Sequence, residues 1–154
     1  ITNYKIFDIF QDKSDENILW LAGGKEGGLN KFNLEKEMFT QYYDKDGLAS
    51  NYINSIIIDN NEDIWLGTNK GLSKFIINES RFINFTDTDG IIGNQFNKIA
   101  AYKTKEGHLL FGTTEGVVSF NPNNIEEVTP KVDKVVLDNL WVNRELFISD
   151  GDNI

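Results

Sequence analysis

The sequence predicts an all-β fold made of repeated antiparallel sheets, and three observations carry that prediction. First, the chain states one phrase three times: ILWLAGGKEGGLNKF from Ile18 to Phe32, IWLGTNKGLSKF from Ile64 to Phe75, and LLFGTTEGVVSF from Leu109 to Phe120. Second, the phrase recurs at nearly constant distance, with Trp20, Trp65 and Leu110 spaced by 45 and 45, and Phe32, Phe75 and Phe120 by 43 and 45. Third, short β-branched and aromatic runs alternate with clusters of Asn, Asp and Gly, the punctuation of hairpins rather than helices. A unit of this size cannot bury its own apolar faces, so stability has to come from stacking neighbours.

The middle unit is the clearest. Ile53 to Ile58 precedes Asp59-Asn60-Asn61-Glu62-Asp63, and a second apolar run spans Ile64 to Thr68. Asn69-Lys70-Gly71 supplies the next turn, Leu72 to Ile77 a third strand, Asn78-Glu79-Ser80 another turn, and Arg81 to Thr86 a fourth strand. The first unit reads in the same order, with strands near Tyr4 to Phe10, Ile18 to Ala22, Gly28 to Asn33 and Met38 to Tyr42. Its inner hairpin is longer and two extra residues precede Gly28, insertions of the kind loops absorb. The third unit runs through Ile99 to Tyr102, Leu109 to Thr113 and Gly116 to Phe120, but Asn121 and Pro122 stand where an outer strand should start. Four-stranded units of about 40–45 residues are the blades of β-propellers, and roughly four to eight of them close a ring. The expectation is a partial β-propeller of about three four-stranded blades over residues 1–43, 44–86 and 87–122, with a linker to 128. Exposed sheet edges at both ends should promote self-association.

Bulk composition excludes several functions. The chain has 154 residues, 40% of them hydrophobic and 12% aromatic, enough for an ordinary folded core. With 24 acidic and 15 basic residues its formal charge is -9, which repels phosphate backbones, so nucleic acid is not an expected partner. No run of eighteen apolar residues is present, so no membrane contact is expected of this segment. Without cysteine, neither disulfides nor thiolate metal sites are available. The chain opens without an initiator Met or a signal-peptide pattern, and reads as a piece of a longer protein.

The candidate chemistry is thin. Asp44-Lys45-Asp46-Gly47 and Asp87-Thr88-Asp89-Gly90 superficially suggest calcium. If each carboxylate pair filled loop positions 3 and 5, position 1 would fall on Tyr42 or Phe85 and position 12 on Ile53 or Phe96, none of which can ligate. Turns between blades are the better reading. His108, the single histidine, sits in Lys105-Glu106-Gly107-His108, which reads as a hairpin turn, and lacks partners for a zinc set. No Gly-x-Ser-x-Gly elbow positions a serine nucleophile. Carboxylates suffice in number for a glycosidase pair, but each recurring Asp falls in a turn of the repeat. The triplets Asn78-Glu79-Ser80 and Asn84-Phe85-Thr86 match the glycosylation pattern, a chance event in so Asn-rich a chain. Trp20 and Trp65 could stack on sugars, but mid-strand positions in a repeat assign them to the space between blades. No catalytic, cofactor-binding or metal-binding residue is expected.

The segment Asp46-Gly47-Leu48, Asn51-Tyr52-Ile53, Ile56, Asp59, Ile64-Trp65-Leu66-Gly67-Thr68 and Gly71-Leu72 resembles the two-component regulator propeller repeat. Asp89-Gly90-Ile91 with Asn94 is a weaker echo, and Leu110-Phe111-Gly112-Thr113 with Gly116 and Phe120-Asn121-Pro122 is similar to the last repeat before such propellers end. Thr129-Pro130 to Asn143 resembles the start of the β-sandwich, named for three tyrosines, that follows them, so residues 129–154 are expected to begin that domain and leave it incomplete. The resemblance implies the periplasmic sensor region of a membrane-bound histidine kinase, often a hybrid kinase of gut Bacteroidetes that responds to glycan fragments. Kinase activity would then lie in other parts of the parent protein, and the resemblance implies self-association in a parent receptor dimer. The alternatives are the propeller of a polysaccharide lyase or hydrolase, and a protein-binding scaffold.

If the first strand of each blade lines the axis, the turns after the second strands share one rim with the links between blades. That rim gathers Lys25-Glu26, Asn69-Lys70 and Thr114-Glu115 beside Ser50-Asn51-Tyr52 and Asn94-Gln95-Phe96. Asn51 and Asn94 recur and are read as backbone caps. Tyr52, Asn69, Lys70, Gln95 and Phe96 vary between units and are the candidate residues for an oligosaccharide.

Overall fold

A computed structural model describes residues 5–125, 140–142 and 145–147. Three antiparallel sheets stand side by side in chain order. The first contains β1 (Ile6–Gln11), β2 (Ile18–Gly23), β3 (Leu29–Asn33) and β4 (Met38–Tyr42), in the order β1-β2-β3-β4. The second repeats it with β5 (Ile53–Ile58), β6 (Ile64–Thr68), β7 (Gly71–Ile76) and β8 (Arg81–Phe85). The third has three strands, β9 (Phe96–Lys103), β10 (Leu109–Thr113) and β11 (Val117–Phe120). A 3-10 turn at Pro122–Asn124 follows β11, in the place where an outer strand was expected to be interrupted. The all-β propeller architecture is therefore observed. The sandwich expected over 129–154 lies outside the described residues, except for backbone strands β12 (Leu140–Val142) and β13 (Glu145–Phe147), which pair antiparallel.

Two apolar clusters fill the gaps between sheets. Ile18, Trp20, Ala22 and Leu29 of the first sheet meet Ile53, Ile56, Ile64, Leu66 and Phe75 of the second. Trp65 and Leu72 of the second meet Phe96, Leu109 and Phe111 of the third. Trp20 and Trp65 are closed off, at 1% and 0% exposure, and neither is a platform for a sugar. The Trp20 ring meets Phe75 edge-on at 5.7 Å, and the Trp65 ring stacks on Phe85 at 5.6 Å and lies 4.8 Å from Phe120. Gly67 lets the sheets approach, since a Cβ there would come within 2.5 Å of Ser55 Oγ and 2.9 Å of Phe96 Cβ.

Each indole is held by a carboxylate at the far end of its hairpin. Trp65 Nε1 donates to Asp59 Oδ2 at 2.8 Å, while the amides of Asn61 and Asp63 donate to Asp59 Oδ1 at 2.8 and 3.0 Å. Trp20 Nε1 donates to Asp12 Oδ2 at 2.7 Å, and the amides of Ser14 and Asp15 donate to Asp12 Oδ1 at 2.9 and 3.2 Å. Cross-strand lysines complete the unit: Lys31, opposite Trp20, and Lys74, opposite Trp65, place ammonium groups 5.5 and 5.8 Å from the ring centroids. In the third sheet all three residues change together. Thr104 replaces the Asp and accepts from the His108 amide at 3.2 Å, Leu110 replaces the Trp, and Ser119 stands opposite it.

The outward faces of the two end sheets remain apolar. Ile9, Phe39 and Met38 are exposed on the first, and a groove of about 360 Å³ on the third is lined by residues including Tyr102, Leu110 and Val117. Leu110 occupies there the position that in the other sheets carries the tryptophan facing the next sheet.

Candidate functional site

The links between sheets and the turns after the second strands meet at one rim, and backbone hydrogen bonds weld them. The Gly28 amide donates to the Asn51 carbonyl at 2.9 Å and the Gly71 amide to the Asn94 carbonyl at 2.7 Å, tying each sheet to the link that follows it. Within one blade the Asn69 amide donates to the Tyr52 carbonyl at 3.3 Å and the Thr114 amide to the Gln95 carbonyl at 3.0 Å. His108, in the turn between β9 and β10, is exposed and sits at the opposite end of its sheet.

The aspartates of the links are spent on backbone. Asp46 Oδ2 accepts from the Tyr43 amide at 2.9 Å, Asp89 Oδ2 from the Thr86 amide at 2.8 Å, and each caps a 3-10 turn. Asn51 Oδ1 accepts from the Asp44 amide at 2.7 Å and Asn94 Oδ1 from the Asp87 amide at 2.9 Å, the capping role their recurrence suggested. A carboxylate that receives a main-chain N–H is held in a turn by that bond, which is the geometry of an Asx-type cap.

Of the five candidate residues, the rim brings four together. Tyr52 is half-buried, and Asn69, Lys70 and Gln95 are exposed. Asn69 Oδ1 accepts from the Ser50 hydroxyl, and the Lys70 amide donates to Thr68 Oγ1 at 3.1 Å, so the turn is ordered while both side chains stay at the surface. Phe96 is a correction. At 3% exposure it lies edge-on to Phe111 at 5.7 Å in the core between the second and third sheets, with no face left for a ligand. Its register explains this: Phe96 pairs with Thr113 as Ile53 pairs with Thr68, and Ile53 is also fully buried.

Two residues that the sequence did not single out complete the rim. The Phe7 ring lies 6.0 Å from the Tyr52 ring at 52°, and Lys98 Nζ sits 4.6 Å from the Phe7 centroid and 5.9 Å from that of Tyr52. These groups come from the starts of β1 and β9 and from the link just before β5, and those three first strands lie against one another. Each first strand bulges at this point. Asn54 and Ser55 lie between the partners of Thr68 and Leu66, whereas Asn97, Lys98, Ile99 and Ala100 lie between the partners of Thr113 and Phe111, two residues more. The longer bulge holds Ile99 at φ 55, a conformation β-branched residues rarely adopt, and leaves it 71% exposed. It also carries Lys98 over the two rings.

Polar groups at the neck of this site are only partly satisfied. Asn54 Nδ2 donates to the Phe96 carbonyl at 2.9 Å, while Asn54 Oδ1 and Ser55 Oγ are buried without a hydrogen-bond partner among the described residues. Burial pushes the Asp8 carboxyl above its ordinary range, opposed by hydrogen bonds from the backbone of Ile9 and Ile56. Among the described residues no group of three His, Cys, Asp or Glu side chains has metal-binding geometry.

A family model described as two component regulator propeller matches residues 42–70, from the end of β4 through the link, β5 and β6 to the rim turn. Among solved structures, the chain is similar to the extracellular domain of what is described as a hybrid two component system from B. thetaiotaomicron. Identity is 22% and the TM-score 0.70, covering 96% of this chain and 21% of that one. It is similar to the extracellular domain of a second such system from the same organism, at 23% identity and a TM-score of 0.66, covering 77% and 17%. A more distant likeness, at 14% identity and a TM-score of 0.57, is to a catalytically inactive virginiamycin B lyase from Staphylococcus aureus with quinupristin, covering 81% and 44%. These likenesses establish the fold, and this chain spans about a fifth of the length of the first of them. No curated protein matches the chain.

Proposed function

We propose that this chain, whose residues 42–70 are a two component regulator propeller repeat, is part of the extracytoplasmic, periplasmic sensing region of a two-component sensor kinase and takes an oligosaccharide at its rim. The observation that carries the reading is the coincidence of that repeat with the rim cluster. Tyr52, Asn69 and Lys70 lie within the matched residues, and Phe7, Gln95 and Lys98 join them from the neighbouring sheets. Exposed amides suit sugar hydroxyls, and partly exposed aromatic rings suit the apolar faces of pyranoses. The likeness to extracellular domains of hybrid two component systems supports the compartment and the class. The exposed apolar faces of the first and third sheets support contact with further blades or a second copy. Ligand binding would signal by favouring one arrangement of paired receptors, since only differential affinity shifts such an equilibrium.

Calorimetric titration of an oligosaccharide panel against the parent chain and Tyr52→Ala tests the reading. Saturable binding by the parent, weakened about tenfold or more in the variant, is expected for loss of a ring contact. Absence of binding across the panel, or release of new reducing ends from the sugars, overturns it.

A further inference from the structure

Among the described lysines that lie over aromatic rings, Lys98 lies over two, whereas Lys31, Lys45 and Lys74 each lie over one. The Lys74 ammonium lies over Trp65 but is paired with Asp63 at 3.1 Å, inside the sheet. The Lys98 ammonium lies over Phe7 and Tyr52 on an exposed bulge, and among the described residues no carboxylate forms an ion pair with it. An ammonium has three N–H donors. Ring faces attract its charge but offer no lone pairs to those donors, so the rings fix the cation and leave its hydrogen-bonding capacity open. A two-residue extension of the bulge and a β-branched residue at positive φ are what deliver it there.

Resting on the reading of the rim as an oligosaccharide site, we propose that the ligand is an acidic oligosaccharide whose anionic oxygens are received by the Lys98 ammonium. A neutral sugar offers the ammonium only uncharged hydroxyl oxygens as acceptors. A carboxylate or sulfate on the sugar makes a charge-assisted hydrogen bond, the stronger kind. The chain's net charge of -9 does not oppose this at short range, because charges more than about 8 Å away are largely screened at physiological salt. Lys70, exposed on the same rim, adds positive charge on the side of the second sheet.

Three probes of equal length separate the possibilities: a tetragalacturonate, a neutral galactotetraose and a sulfated galactotetraose, each titrated by calorimetry into the parent chain, Lys98→Met and Lys98→Arg. The parent is expected to bind at least one acidic probe about tenfold or more tighter than the neutral one, the size of effect a single charge-assisted hydrogen bond supplies. Lys98→Met should erase that preference while leaving neutral affinity in place, Lys98→Arg should keep it, and raising the salt should shrink it. Preference for tetragalacturonate assigns a carboxylate, and preference for the sulfated probe assigns a sulfate. Equal affinity for all three probes, or a preference that survives in Lys98→Met, overturns the acidic ligand and leaves the sensor reading standing. A lowered melting temperature in Lys98→Met with unchanged binding also overturns it and makes the lysine a tie between first strands. No binding of any probe overturns both.

Discussion

Asp59 offers the sharpest test of how the sheets hold their tryptophans. It is fully buried and accepts from Trp65 Nε1, the Asn61 amide and the Asp63 amide. The informative substitution is Asp59→Thr, because the third sheet already carries Thr104 at that place, with Leu110 instead of Trp. A threonine hydroxyl can serve one turn amide, as Thr104 serves His108, but leaves the indole N–H without an acceptor in a closed interior. That orphaned donor costs about 1–3 kcal/mol, and the second turn amide, which water can reach, adds roughly 0.5–1 kcal/mol. The expected loss is about 2–4 kcal/mol, or roughly 6–12 °C in melting temperature for a chain of this size. Melting the parent, Asp59→Thr, Trp65→Leu and the double variant in parallel isolates the indole bond. With leucine at 65 there is no N–H to orphan, so Asp59→Thr should cost only about 1 kcal/mol there, giving a coupling of about 1–3 kcal/mol. Additivity of the two changes within about 0.5 kcal/mol would refute the reasoning and reduce Asp59 to a turn former.

Two further outcomes follow from the same geometry. Gly71 sits at φ 116, and a Cβ there would lie 2.5 Å from the Phe85 carbonyl oxygen, so Gly71→Ala is expected to cost about 2–4 kcal/mol through strain and overpacking. Urea denaturation should show a lower midpoint at unchanged slope, and a shift worth less than about 0.5 kcal/mol would count against the tight rim turn. Asp8, raised by burial, binds its proton more tightly folded than unfolded, so its contribution to stability is present below the unfolded pKa and is lost as pH rises through the folded one. Asp8→Asn should therefore gain on the parent as pH rises from 4 to 7, read by thermal melts across that span; a difference independent of pH would mean the carboxyl is not desolvated.

Much of the fold was legible because the repeat fixes hydrophobic spacing and turn chemistry at once. The strand order of the first two sheets, the interior placement of Trp20 and Trp65, and the capping roles of Asn51 and Asn94 all follow from positions that recur. Phe96 was misread because it stands beside the variable Gln95, and variability between units was taken to mean exposure. Its pairing with Thr113 makes it the counterpart of Ile53, and a residue that opens a first strand on the core side is buried whichever hydrophobe it is. Asp59 was read only as a turn residue, since the second half of its role is a contact made across the hairpin. Lys98 and Phe7 were missed because bulged residues break the two-residue alternation that sequence patterns rely on. A signal was nonetheless present: Asn51 and Leu66 are 15 positions apart, while their counterparts Asn94 and Phe111 are 17 apart.

The way residues vary among the three sheets separates scaffold from recognition. Asp, Trp and Lys occur together at 12, 20 and 31 and at 59, 65 and 74, and give way together to Thr104, Leu110 and Ser119. Residues exchanged as a set are serving one another: the carboxylate needs the indole N–H, and the lysine needs the ring face. The bulge positions repeat only in part: Asn97 follows Phe96 as Asn54 follows Ile53, and Lys98 and Ile99 are the extra residues of the longer bulge. Phe7 stands at the corresponding position of the first sheet, and Phe7 and Lys98 approach each other with Tyr52 reached by both. The groups that break the repeat, Phe7 and the inserted Lys98, are the ones that meet at Tyr52, so departures from the repeat rather than repeated positions build the surface there.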